Sequence, residues 1–119
     1  MKKLLVVDDA IFIRLMVKDA LKGEFEVVAE TDTAEESISL YEKLKPDVVT
    51  MDISLAGAMN GIEALKQIRA NDPSARVIMV SAMGDQANIK ASIELGAYDF
   101  IVKPFSKDQL KKTVQLAGG

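Results

Sequence analysis

Leu4-Leu5-Val6-Val7-Asp8-Asp9 is the stretch from which the fold can be read. Four apolar residues run consecutively and end in two adjacent carboxylates. Alternating apolarity would mark a strand with one wet face. An unbroken run marks a strand buried on both faces, the habit of parallel sheets. The same form recurs at Val27-Val28-Ala29, Val48-Val49-Thr50-Met51, Val77-Ile78-Met79-Val80 and Phe100-Ile101-Val102.

Helical patterns fill the gaps. Ile11 to Leu21 is broadly apolar, with Arg14, Lys18 and Asp19 spaced along it. Thr33-Ala34-Glu35-Glu36 fits a capping box ahead of Ala34, Ile38, Tyr41 and Leu44. Asn60-Gly61 opens a third helix through Arg69, with Pro73 just beyond it. Asp85 caps a fourth that ends at Leu95-Gly96. Ser106 caps a fifth, with Leu110, Val114 and Leu116 apolar.

Strand and helix therefore alternate five times in 119 residues. Five units are too few for an eight-fold barrel. The remaining solution is α/β: a doubly wound five-stranded parallel sheet, flavodoxin-like, in the common order 2-1-3-4-5. Residues 1–119 read as one domain.

Composition removes whole classes of chemistry. There is no cysteine and no histidine. A Ser-His-Asp triad, a thiolate or imidazole metal site and a phosphohistidine on this chain are all excluded. Fifteen basic against eighteen acidic residues leave a net charge of −3, so no direct nucleic-acid partner is expected. The longest uncharged stretch, Ile53 to Ile62, is too short to span a membrane. The apolar run before Asp8 is too short for a signal-peptide core. A cytoplasmic monomer is the simplest reading.

Ligands of open α/β sheets bind beyond the carboxyl ends of the strands, here between strands 1 and 3. Asp8 and Asp9 follow strand 1, Asp52 ends strand 3, Ser81 ends strand 4 and Lys103-Pro104 ends strand 5. Three carboxylates in one crevice repel each other, and a divalent cation relieves this. Hard oxygen donors without histidine or cysteine favour Mg²⁺. An aspartate not spent on the metal is a nucleophile toward phosphorus. Phosphoryl transfer needs mainly positioning and charge neutralisation, which Mg²⁺ and Lys103 supply, with Ser81 as a hydrogen-bond donor.

These residues resemble the response-regulator receiver family of two-component signalling, and most its single-domain chemotaxis members. The resemblance runs from Lys3 to about Leu116. It rests on Leu5-Val6-Val7-Asp8-Asp9-Ala10, Val49-Thr50-Met51-Asp52, Ser81-Ala82 and Gly96-Ala97-Tyr98-Asp99-Phe100-Ile101-Val102-Lys103-Pro104-Phe105. It implies that Asp52 is the phosphoacceptor. Asp9 and Asp52 would ligate Mg²⁺ directly, Asp8 mainly through water, and Ser54 through its backbone carbonyl. Ser81 and Lys103 would contact the phosphoryl group, and Phe100 would be the aromatic switch. The donor would be a histidine kinase of the chemotaxis (CheA-like) type. The output partner would be a flagellar motor switch protein or a phosphatase. Met83 and Ser54 fall where such proteins tune phosphoryl loss, and a cis Lys103-Pro104 bond is implied.

One stretch departs from the family pattern. Asp52-Ile53-Ser54-Leu55-Ala56-Gly57-Ala58-Met59-Asn60-Gly61 lacks the usual proline and carries one extra residue. The loop is freer for it, and a shifted metal affinity or dephosphorylation rate is the consequence to expect.

Blander readings stand beside these. Asp8-Asp9 taken alone would be a helix cap. Lys103 alone would be a solvated lysine, Ser81 a satisfied hydroxyl and Phe100 core. Competing functions are a flavin carrier, which Asp8-Asp9 would repel, and an aspartyl-nucleophile phosphatase, whose Asp-x-Asp pattern is missing. A receiver that is never phosphorylated, or a receiver cut from a larger regulator, completes the set.

Overall fold

The computed structural model describes residues 1–55, 57–82 and 85–119. Five strands alternate with five helices: β1 (Lys2–Val7), α1 (Ile11–Leu21), β2 (Phe25–Thr31), α2 (Ala34–Leu44), β3 (Val48–Asp52), α3 (Gly61–Asn71), β4 (Val77–Ala82), α4 (Gln86–Glu94), β5 (Asp99–Lys103) and α5 (Lys107–Gly118). The strands pair in parallel in the order β2-β1-β3-β4-β5. The order and helix count expected from the sequence are those observed.

Alternation along the central strands explains the two-sided core. Leu4, Val6, Val48, Ile78, Val80 and Ile101 face α1 and α5, meeting Val17, Leu21, Leu110 and Val114. Leu5, Val7, Val49, Met51, Val77 and Met79 face the other way, against Tyr41 of α2 and Leu65 and Ile68 of α3. Both parities are apolar because both are covered. Each such side chain removed from water contributes roughly 1.5–3 kcal/mol.

Some local expectations needed correction. The Val27-Val28-Ala29 run is only half-buried, since β2 is an edge strand. Ile11, Phe12 and Leu15 are exposed, because α1 turns Val17 and Leu21 to the sheet. Leu116 is exposed, and Ala117 takes its place in the core. Asp85 stands at the start of α4 but accepts from the Asn88 side chain instead of capping the backbone. Thr33 and Ser106 cap as expected, accepting from the Glu36 and Gln109 N–H groups. At α3 the reciprocal box is Asn60 with Glu63, 3.0 and 3.1 Å. Side chains from other elements hold the end of α5. Arg76 donates to the Ala117 carbonyl at 2.6 Å and Tyr98 to that of Leu116 at 3.2 Å.

Among the helices, α4 is the least embedded. Ser92 is its one fully buried residue. Beside it an apolar hollow of about 590 Å³ is lined by Ile89, Ile93, Phe100 and Val102 with the stems of flanking polar residues.

Candidate functional site

Parallel strands deliver their carboxyl ends to one edge of the sheet. Thr50 and Met51 pair with Val6 and Val7, and Asp52 pairs with Val80, so β1, β3 and β4 end together. Asp8, Asp9 and Asp52 each present an oxygen there, all within 4.8 Å of one another. Asp8 and Asp52 are buried and Asp9 is exposed. The Lys103 ammonium reaches in from β5, 2.9 Å from Asp8 Oδ2 and 3.4 Å from Asp52 Oδ2. The Lys103-Pro104 bond is cis.

Backbone donors orient the carboxylates. The Ala10 N–H donates to Asp8 Oδ1 at 2.9 Å. The Ser54 N–H donates to Asp52 Oδ1 at 3.1 Å. The helix-cap reading of Asp8-Asp9 fails: the cap residue of α1 is Ala10, with no side-chain cap bond.

Electrostatics at the crevice are unbalanced. Burial pushes Asp52 up to about 6, the charge of Asp8 adds to this, and Lys103 opposes it. Burial alone would pull Lys103 down. Its contacts with Asp8 and Asp52 outweigh that, and its net shift is upward. Among the described residues one ammonium pairs with two of the three carboxylates, and Asp8 Oδ2, though close to it, makes no well-directed hydrogen bond.

That deficit tests whether a divalent cation fits. Clustered hard oxygens that one ammonium cannot neutralise, with no nitrogen or sulfur donor among them, are the donor set for Mg²⁺. The residues present fit the ion.

Ser81 stands one strand over. It is paired in register with Val102 and so shares a face with Phe100. Its Oγ is buried and has no partner among the described residues. Thr50 Oγ1, behind Asp52, is in the same condition. Phe100 is half-buried, packed on the core and open to the hollow under α4. Ser54 is exposed beside Asp52. Met83, Gly84 and Ala56 lie outside the described residues.

Two contributors escaped the sequence reading. Gly61, read only as a helix opener, lies so close to β3 that a Cβ there would stand 2.0 Å from the Asp52 carbonyl oxygen. Its N–H donates to the Ile53 carbonyl at 3.0 Å. Arg14 reaches from α1 to the Asp8 carbonyl at 2.6 Å. The Asn60-Gly61 pair was a signal for the first, and nothing local signalled the second.

A cluster of three carboxylates with a half-buried lysine against two of them, at the switch point of a doubly wound sheet, suits a phosphoacceptor module. Comparison with known proteins agrees. The model of the response regulator receiver domain matches residues 4–115. The chemotaxis protein CheY of Listeria monocytogenes is 51% identical over 118 residues, 98% of both chains. CheY of Bacillus subtilis is 48% identical over 113 residues, 94% of this chain and 93% of that one. The crystal structure of the CheX-CheY-BeF3-Mg²⁺ complex from Borrelia burgdorferi contains a chain of similar fold. Its TM-score is 0.90 at 32% identity, covering 97% of this chain and 87% of that one.

The chain belongs to the response regulator receiver family. Within it the chain is a CheY homologue, a phosphoacceptor signalling protein of chemotaxis and not a classical enzyme.

Proposed function

We propose that Asp52 is the residue phosphorylated, with a phosphohistidine of a CheA-like histidine kinase as donor. An Asp52 carboxylate oxygen attacks phosphorus. The bond from phosphorus to the donor imidazole breaks, and its electron pair stays on that nitrogen. The observation that carries this reading is the crevice itself: three carboxylate oxygens within 4.8 Å and Lys103 against two of the carboxylates.

Asp8, Asp9 and Asp52 would hold Mg²⁺, with the Ser54 carbonyl as a further ligand. When bound, the ion supplies positive charge that offsets the carboxylates and the incoming phosphoryl oxygens. The Ser54 N–H holds one Asp52 oxygen and leaves the other directed at Lys103. In the phosphorylated state Lys103 pairs with the phosphoryl group. Ser81 gives its free hydroxyl to it. Phe100 then moves toward the space Ser81 leaves, and the face built from α4, β5 and α5 changes its affinity for a partner. The partner would be a flagellar motor switch protein or a CheX-like phosphatase. The site of action would be the cytoplasm; among the described residues no helix is long and apolar enough to cross a membrane.

The test is intact mass after incubation with acetyl phosphate. The expected result is a gain of one phosphoryl group in the presence of Mg²⁺, abolished in Asp52→Asn and in excess chelator. A gain that survives Asp52→Asn would overturn the assignment.

A further inference from the structure

α1 begins without a side-chain cap and without an acidic residue in its first turn. What ties it to the crevice is Arg14, one turn in. Its Nη1 donates to the Asp8 main-chain carbonyl at 2.6 Å, and its Nε donates to Glu30 Oε1 at 2.9 Å. The side chain is only 16% exposed. Glu30, at the end of β2, also takes Lys18 at 2.6 Å. The Lys18 bond, opposed by burial and helped by the Arg14 bond, holds the Glu30 carboxyl below the usual range, so it is ionised at neutral pH. The far side of the turn is held too, by the Asp8 N–H donating to the Thr31 carbonyl at 3.1 Å. The peptide that carries Asp8 into Asp9 is thus gripped by a planar guanidinium whose other edge is fixed to a neighbouring strand. Two donors held in one rigid plane, each on a different partner, fix direction as well as distance.

We propose that Arg14 is a positioning residue for the cation site. By holding the Asp8 carbonyl, with Glu30 as its anchor, it sets the backbone from which the Asp8 and Asp9 carboxylates project. Groups behind the first ring of ligands govern metal affinity by orienting them. The inference deepens the reading of the crevice as a Mg²⁺ site and rests on it.

Charge and position make opposite forecasts here. Arg14 is a cation near the crevice. If it acted through charge alone, removing it would relieve repulsion and tighten Mg²⁺ binding. If it acts by position, removal loosens the turn and weakens binding. The experiment is Mg²⁺ titration by calorimetry on wild type, Arg14→Gln, Arg14→Lys and Glu30→Gln, with amide spectra recorded on the same samples. Arg14→Gln should weaken Mg²⁺ binding about tenfold. Arg14→Lys keeps the charge but cannot grip both partners, and should fall between. Glu30→Gln should weaken binding with Arg14 intact. Amide shifts in the metal-free proteins should concentrate at Asp8–Ala10 and leave β5 and α5 unmoved. Equal or tighter binding in Arg14→Gln overturns the positioning role and leaves Arg14 a tie between α1 and β2. If Arg14→Gln does not fold, Arg14→Lys and Glu30→Gln decide: wild-type affinity in both overturns the role. Absence of Mg²⁺ binding in the wild type overturns the cation reading itself, which is a distinguishable failure.

Discussion

Gly61 occupies the space directly against the Asp52 carbonyl: a Cβ would stand 2.0 Å from that oxygen and 3.0 Å from the Ile53 Cα. Both obstacles are backbone, so neither can rotate away. The end of β3 and the start of α3 are consequently in direct main-chain contact, closed by the Gly61 N–H to the Ile53 carbonyl.

Gly61→Ala should therefore destabilise the protein by about 1–3 kcal/mol, the usual cost of overpacking. The denaturant midpoint should fall with an unchanged slope. A wild-type midpoint would refute the contact.

Asp52 gives a pH dependence with a definite sign in Mg²⁺-free buffer. Burial holds the proton on the folded carboxyl up to about 6, against an ordinary 3.8. Between those values the unfolded state binds fewer protons, so stability falls as pH rises through the window. Asp52→Asn removes this loss. Its advantage over wild type should be near zero below pH 4. Above pH 6 it should reach on the order of 1–2 kcal/mol, after allowance for solvent screening. Thermal unfolding across pH 4–8 in chelator checks both ends.

Ser81→Ala separates resting stability from signalling. The Ser81 hydroxyl has no partner among the described residues, so its removal breaks no hydrogen bond. The variant should be as stable as wild type or about 1 kcal/mol more stable, since a buried unpaired group is lost. Its phosphorylated form should nevertheless fail to gain affinity for the output partner. A large loss of resting stability would mean that the hydroxyl is already engaged.

Tyr41 offers an alkaline counterpart away from the crevice. Its hydroxyl donates to Asp72 at 2.7 Å, and burial, then Asp72, hold its pKa well above 10.0. Tyr41→Phe should cost about 1 kcal/mol at pH 7. The stability contributed by the protonated phenol is present below the unfolded value and lost as pH rises past it. The gap between the two proteins should narrow above pH 10, as read by denaturation at pH 7, 9 and 11.

Much of this was legible in the chain. Val6-Val7 and Val48-Val49 announced two-sided burial, which left one architecture, and that architecture alone puts Asp8, Asp9, Asp52 and Lys103 at one edge. What stayed hidden depends on carbonyls and neighbours that only folding assembles. Arg14 and Gly61 act on backbone oxygens, which no side-chain pattern encodes. The broadly apolar run from Ile11 hid the exposure of Ile11, Phe12 and Leu15, because apolarity records what a residue tolerates, not which way a helix is turned. Val27-Val28-Ala29 looks like an inner strand because nothing in it says that the sheet stops there.

The resting crevice is a locally frustrated corner of an otherwise consistent fold. Among the described residues Asp8 Oδ2 and Ser81 Oγ lack well-directed hydrogen bonds, and like charges face one another across the gap. At the opposite end Arg76 and Tyr98 satisfy the carbonyls of α5. One pole is anchored and the other is held in readiness. A cation that binds the folded crevice and not the unfolded chain therefore raises the melting temperature of the whole molecule by mass action, and heat resistance becomes a readout of how far that pole is filled.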